Sequence, residues 1–291
     1  MKGIIVENIS NLYKVEANAK IYDTMARGKF KKDEITPVVG DKVEIENIDD
    51  NKNVAVIEKI YERKTYIKRP KISNITQMIF VLSTKNPKPD LLMLDKQLAY
   101  AEYLGIKSII IINKIDLSDV YKEIKEVYES IGYKVILTNA KEQKGIKEVK
   151  EALKNNISVF SGNSGVGKST LINSLFENNM TQEGEISQKN KKGKNTTTTV
   201  KLYDLGDNSY IADTPGFSSF SIEEIESNKL DKCFIEFKQY INECEFVGCT
   251  HIKEENCGIK KGLQENKINQ DRYNRFCYIY QELKDKEARK W

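Results

Sequence analysis

The chain has 291 residues, 31% of them charged and 39% hydrophobic, with 16 Gly and 5 Pro. That length gives room for two or three compact units, and the composition excludes a disordered, collagen-like or disulfide-dense chain. Lys and Arg (47) exceed Asp and Glu (43) by only 4, which does not by itself indicate a nucleic-acid partner.

Residues 1–67 carry short runs of strand formers: Gly3-Ile4-Ile5-Val6, Leu12–Ala17, Lys42–Ile45 and Val54–Ile57. Pro37, Gly40-Asp41 and Asp49–Asn53 supply turn chemistry between them, which predicts a small antiparallel barrel, the oligonucleotide-binding fold being one option. Lys29, Lys31 and Lys32, near Arg27, are either a basic edge or a solvated loop. From about Ile75 the pattern changes. Met78–Leu82 and Ile109–Ile112 are continuous apolar runs, as in strands covered on both faces. Helical spacing at Leu91–Leu104, Val120–Ile131 and Ile146–Leu153 alternates with strands at Val135–Leu137 and Ile157–Phe160, which predicts an α/β parallel sheet. No apolar stretch approaches the about 18 residues of a membrane helix, and Met1–Ser10 lacks the apolar core of a secretory signal. A soluble, cytosolic protein is expected.

Gly162-Asn163-Ser164-Gly165-Val166-Gly167-Lys168-Ser169 satisfies G-x-x-x-x-G-K-[ST] between a strand and the helix-like Thr170–Phe176. Backbone N–H groups of such a loop curl around phosphate oxygens, and the following helix adds its dipole. Lys168 is expected to reach the β- and γ-phosphates and Ser169 to ligate Mg²⁺. Asp213-Thr214-Pro215-Gly216 follows the strand Tyr210–Ala212, 44 residues beyond Ser169. There Asp213 would bind Mg²⁺, and the Gly216 N–H would sense the γ-phosphate. Gly193-Lys194-Asn195 and Thr196–Thr199 stand where a mobile loop supplies a further Mg²⁺ hydroxyl; Thr197 and Thr198 are favoured, a β-edge being the alternative.

Asn113-Lys114-Ile115-Asp116 ends the strand at Ile112 and has the N-K-x-D pattern that suits guanine. The carboxylate accepts from N1–H and the 2-amino group, both absent in adenine, so a wrong base leaves it unpaired. The stem of Lys114 would pack on the ring, and Asn113 would brace neighbouring loops. Asn139 and Ala140, after Val135–Leu137, could offer a backbone contact to the guanine oxygen; a plain turn fits equally well. The base motif precedes the phosphate motif, the reverse of ordinary GTP-binding chains. A circularly permuted domain accounts for that order.

All five cysteines and the single histidine lie beyond residue 232, and Cys244-x4-Cys249-x-His251-x5-Cys257 sets three thiols and an imidazole within 14 residues. In a cytosolic chain that spacing predicts one structural Zn²⁺ in a closed tetrahedral shell. Cys233 and Cys277 fall outside it and read as buried small residues. The region Phe217–Trp291 has modest apolar content, so the metal is expected to supply much of its folding free energy.

Together these motifs, their order and the Cys/His spacing resemble the ribosome small-subunit-dependent GTPase A family over essentially the whole chain. The resemblance implies an oligonucleotide-binding-fold barrel at 1–68, a circularly permuted P-loop GTPase domain at 69–222 and a mostly helical zinc-binding domain at 223–291. It also implies late maturation of the small ribosomal subunit, contact with that subunit's rRNA, and GTP hydrolysis to GDP stimulated by the subunit. A cytoplasmic monomer with no membrane partner is the corresponding expectation.

The sequence departs from the family at one place. The loop that commonly reads G-R-H-T-T-T has Asn195 where the histidine stands. Phe217 follows D-x-P-G where Ras-like enzymes carry a water-positioning glutamine. No side chain that activates water is evident, so slow intrinsic turnover is expected. Lys189, Lys191, Lys192 and Lys194 would meet RNA phosphates or be solvated. The alternatives are a GTP-dependent RNA-binding module with negligible hydrolysis, or a P-loop kinase, which leaves Asn113–Asp116 unexplained.

Overall fold

The computed structural model describes residues 1–28, 30, 35–49, 52–176, 200–213 and 222–289, with backbone alone at Asn47, Asp213 and Glu223. The chain divides into two compact units. The first comprises Met1–Ile79, Ala140–Ser161 and Gly167–Ser218; the second comprises Phe80–Asn139, Gly162–Val166 and Ser219–Trp291.

The first unit opens with β1 (Lys2–Ile9), β2 (Leu12–Ala17), β3 (Lys20–Ala26), β4 (Lys42–Asp49) and β5 (Val54–Ile60). They pair in the order β1-β2-β3-β5-β4, and β4 returns to β1, closing a five-stranded barrel. All of its pairings are antiparallel except β3 with β5. Alternate residues (Tyr13, Val15 and Ala17; Val43 and Ile45; Ala55 and Ile57) fill the interior, as period-two patterning requires. The strand β3 is absent from the sequence expectation. Its hairpin turns at Asn18-Ala19, both at positive φ (51° and 59°), without the glycine that usually announces such a turn. Arg27 pairs with Glu46 and Glu58, so this residue belongs to a surface ion network; Lys29, Lys31 and Lys32 lie outside the described residues.

A small hairpin follows, β6 (Tyr66–Lys68) and β7 (Lys71–Ser73), and then β8 (Gln77–Ser83), whose first three residues belong to this unit. Later segments complete it: α3 (Ile146–Leu153), β11 (Ile157–Ser161), α4 (Lys168–Phe176), β12 (Lys201–Gly206) and β13 (Ser209–Asp213). The strand β11 runs parallel to β13, and β12, antiparallel to β13, meets the barrel through Glu7 opposite Lys201.

The second unit holds the rest of β8, α1 (Leu91–Tyr103), β9 (Lys107–Asn113), α2 (Tyr121–Ser130) and β10 (Lys134–Leu137). The strands stand in the order β10-β9-β8, with β9 and β10 parallel. Ser108–Asn113 is buried throughout, as a strand covered on both faces must be. Helix α1 starts where Asp90, behind Pro89, accepts from the Met93 N–H at 2.9 Å, and it stops before Gly105 at φ 65°. The C-terminal part is a chain of 3₁₀ turns between Ile222 and Glu243, then α5 (Gly258–Gln264) and α6 (Gln270–Ala288), the latter capped by Asn269. Phe234, Phe237 and Phe276 pack there with centroids 4.9–5.3 Å apart. Among the described residues no helix is long and apolar enough to cross a membrane.

Candidate functional site

Strand β11 runs into the loop Gly162–Gly167, and Lys168, Ser169 and Thr170 open α4. Only glycine fits the first position. Gly162 has φ 150°, and a Cβ there would stand 2.2 Å from the Val81 carbonyl oxygen. Gly165 and Gly167 also take positive φ (81° and 97°). Helix α4 begins with the Leu171 N–H donating to the Gly167 carbonyl at 2.9 Å. Ser164, Gly165, Ser169 and Thr170 are exposed and Lys168 is half-buried. Burial holds the Lys168 ammonium below the usual lysine range, the condition in which a bound anion would gain most from it. The open N-terminus of α4 and its lysine thus present positive potential where phosphate would lie.

The base motif leaves the C-terminal end of β9. Buried Asn113 donates from Nδ2 to the Val166 carbonyl at 3.0 Å and accepts from the Thr138 hydroxyl at 3.0 Å. It therefore ties the phosphate loop to the turn after β10, the bracing role expected of it. Lys114, at φ 58°, donates from Nζ to the Gly165 carbonyl at 2.7 Å and to the Asn86 carbonyl. Its charge therefore rests on backbone carbonyls, one of them in the Gly162–Gly167 loop. Asp116 is exposed and accepts no hydrogen bond among the described residues. Asn139 and Ala140 are buried beside Thr138, whose N–H donates to Ile112 at 2.9 Å.

Two partners of this loop escape sequence reasoning. Asn86 supplies a carbonyl to Lys114, and Asp90 accepts from Asn163 at 3.5 Å while capping α1. The Asn163 partner of Asp90 lies 73 residues away, out of reach of any local sequence pattern. Around them Met93, Leu94 and Gln97 of α1 line a small gap with Gly162, Asn163 and Val166.

Asp213 closes β13, which is parallel to β11, so its backbone lies at the same C-terminal strand edge from which the phosphate loop leaves. Thr197, Thr198 and Gly216, and with them Asn195 and Phe217, lie outside the described residues.

The cysteine region converges. The ligand atoms of Cys244, Cys249, His251 and Cys257 all lie within 4.8 Å of one another. His251 Nδ1 is 3.5 Å from Cys244 Sγ and 3.3 Å from Cys257 Sγ, while Nε2 faces Asp231 Oδ2 at 3.5 Å. A carboxylate behind the distal ring nitrogen orients the imidazole in metal centres. His251 is buried and takes φ 64°, with Tyr273 donating to its carbonyl at 2.6 Å. Burial and the neighbouring Cys257 push Cys249 up to about 12, so the thiols would not ionise together without a cation among them. The donor set therefore fits a divalent metal. Cys233 is buried apart from the cluster and Cys277 is half-buried.

A strand–loop–helix phosphate site preceded in sequence by a guanine motif defines a class: the circularly permuted P-loop GTPases. A model of the RsgA GTPase family matches residues 60–223, and one of the RsgA N-terminal domain matches residues 2–57. The chain is 42% identical over 295 aligned residues to a small ribosomal subunit biogenesis GTPase RsgA of Clostridium botulinum, covering all of both chains. One from Ruminiclostridium cellulolyticum is 40% identical, covering 97% of this chain and 94% of that protein. Among solved structures, YjeQ from Thermotoga maritima superposes with a TM-score of 0.85 at 34% identity, covering 97% of this chain and 98% of that one. YloQ, a circularly permuted GTPase, superposes with a TM-score of 0.82 at 30% identity, covering 98% and 95%.

The chain belongs to the RsgA GTPase family. It is accordingly a GTPase, a hydrolase acting on GTP.

Proposed function

We propose that this chain binds the small ribosomal subunit and its rRNA in the cytoplasm, acts late in that subunit's maturation, and hydrolyses GTP to GDP and phosphate on it. Full-length identity of 42% to a small ribosomal subunit biogenesis GTPase carries the reading. The domain boundaries 1–68, 69–222 and 223–291 go with it, supported by family matches at 2–57 and 60–223.

In the reaction, Asp116 pairs with the guanine N1–H and 2-amino group, Lys114 covers the ring, and Asn139 and Ala140 border the base. Residues 162–170 wrap the phosphates. Ser169, Asp213 and a hydroxyl of Thr197 or Thr198 would hold Mg²⁺, which would supply positive charge against the negative charge developing on the phosphates. Water attacks the γ-phosphorus, the bond to the β–γ bridging oxygen breaks, and the proton leaves with the phosphate. Lys168 and the loop N–H groups, with Gly216, stabilise the transferred charge. One Zn²⁺ at Cys244, Cys249, His251 and Cys257 holds the C-terminal region together, three thiols and an imidazole being a closed structural set. The protein acts as a monomer.

Asn195 supports a second reading, in which GTP only gates RNA binding and hydrolysis is negligible. Co-sedimentation with purified small subunits tests association. Retention with a non-hydrolysable GTP analogue and release with GDP is expected; no retention in either state would contradict subunit binding.

A further inference from the structure

We propose that the outer face of the β6–β7 hairpin is a docking site for single-stranded RNA, with a base stacked on Tyr66 and the backbone running over Lys68, Arg69 and Lys71. The partner class rests on the proposed association with the ribosomal subunit; the site itself is argued from the hairpin.

The segment 63–73 carries five cations and no acid in a chain whose charges otherwise nearly balance. Its two strands face each other with Ile67 opposite Ile72 and Lys68 opposite Lys71. Both isoleucines are buried, so Lys68 and Lys71 project together on the outer face. Like charges directly opposite across a strand pair destabilise it. Here nothing relieves them: Lys64, Lys68, Arg69 and Lys71 make no ion pair among the described residues, although acids are plentiful elsewhere on the surface. Such a local conflict is accounted for by a polyanion that supplies the missing charge.

Tyr66 lies two residues before Lys68 and so on the same face, 37% exposed. The Arg63 guanidinium carbon lies 4.9 Å from its ring centroid. Arg63 is itself fixed by two hydrogen bonds to Asp41, at 2.7 and 2.8 Å. Asp41 is wholly buried and also accepts from the Ser73 hydroxyl at 2.6 Å and the Val38 N–H at 2.8 Å. The ring is therefore held in one orientation by a guanidinium that cannot swing away, an arrangement that lowers the ordering cost of stacking a base on it. Gly40 seats the hairpin on the barrel without room for a side chain, since a Cβ there would stand 2.1 Å from the Ser73 carbonyl oxygen. A braced aromatic flanked by cations is the pairing that single strands use; a duplex keeps its bases out of reach. An acidic peptide would satisfy the lysines and leave the ring unused.

The test is fluorescence anisotropy of a labelled, unstructured oligouridylate against the full-length protein over a range of salt. The double variant Lys68→Gln/Lys71→Gln should flatten the log K versus log salt slope by about 1.4, two phosphates at about 0.7 each. Tyr66→Leu should weaken binding about tenfold, Tyr66→Phe should keep it, and heparin, which offers charge without bases, should not distinguish them. An unchanged slope in the double variant, or wild-type affinity in Tyr66→Leu, would overturn the site. GTPase stimulation by small subunits, measured on the same proteins, separates the two claims. Stimulation with unaltered oligouridylate binding in all variants defeats the site alone. Hairpin-dependent binding without stimulation of the wild type leaves the site standing and defeats subunit-stimulated hydrolysis.

Discussion

Asp116 and Asn113 stand three residues apart in one motif and differ in kind. Asn113 is buried and spends both ends of its amide on the protein, joining Val166 to Thr138. Asp116 is exposed and accepts nothing from the described residues, so its hydrogen-bonding capacity is left for a ligand. Asp116→Asn should therefore weaken GTP about tenfold to hundredfold and improve xanthosine triphosphate, which presents a carbonyl in place of the 2-amino group. Competition binding with the two nucleotides checks this; an unchanged preference would remove Asp116 from the site. Gly162→Ala should abolish nucleotide binding and also lower the melting temperature, because the buried Val81 backbone oxygen leaves no room for a methyl group and the loop must shift. Equilibrium binding of a fluorescent GTP analogue and a melting curve read the two effects. These residues were legible in the sequence because a phosphate loop and a guanine clamp require particular groups at contiguous positions. Asn86 and Asp90 were not, since what matters about them is a contact made across the fold.

At the scale of elements, α6 is held to α1 by a quartet of charges, three of them buried and the fourth, Arg275, half-buried. Arg272, wholly buried, reaches Asp95 of α1 and Glu236, and Arg275 also pairs with Asp95. The Tyr128 hydroxyl of α2 donates to the same Asp95 carboxylate at 2.7 Å. Burial by itself would lower the Arg272 pKa, but Asp95 and Glu236 raise it well above the usual arginine value, so the charge stays. Removing one member strands its partners. Arg272→Met should cost about 3–5 kcal/mol in unfolding free energy, read by urea denaturation. Arg272→Lys should recover only part of it, because an ammonium cannot match the two-sided fork of a guanidinium. Loss below about 1 kcal/mol for Arg272→Met would show that the quartet contributes no more than a surface pair. This network stands beside the expectation that metal supplies much of the folding free energy of the C-terminal region, since it is a second source of stability there. Phe234, Phe237, Phe276 and Ile279 give α6 an apolar core of its own. Chelation should therefore lower the melting temperature and loosen Cys244–Cys257, seen as protease cleavage there, while α6 keeps its helicity. Complete loss of helical signal would favour the metal-first account.

Strand legibility followed the same physics. Strands covered on both faces, such as Ile109–Ile112, were plain because burial demands an unbroken apolar run. The half-exposed β3 and β12 were hidden: Lys20–Ala26 interleaves Lys20, Asp23 and Thr24, and Lys201–Gly206 continues a lysine-rich stretch. Their partners, β2 and β5 for one and β1 and β13 for the other, are chosen by register with distant strands.

Across the whole molecule, the permuted order of motifs places Asp213-Thr214-Pro215-Gly216 last of the nucleotide motifs in sequence, immediately before the cysteine-bearing C-terminal region. The N-terminal barrel meets β12 through β1. The strands β1, β2, β4 and β5, the two nucleotide motifs and the cysteine cluster were each legible from pattern and spacing, whereas the grouping of segments into two units, fixed by tertiary contact, was not. Because Asn195 and Phe217 stand where water-directing side chains occur in related enzymes, the account requires a partner to complete catalysis. The direct test is the rate of GTP hydrolysis at fixed Mg²⁺, with and without purified small ribosomal subunits, with ATP as the control. The account predicts slow turnover alone, an increase of at least about tenfold on adding subunits, and no response with ATP. GTP-dependent binding to the subunit without any increase in hydrolysis would contradict it and leave a nucleotide-gated RNA-binding protein in its place.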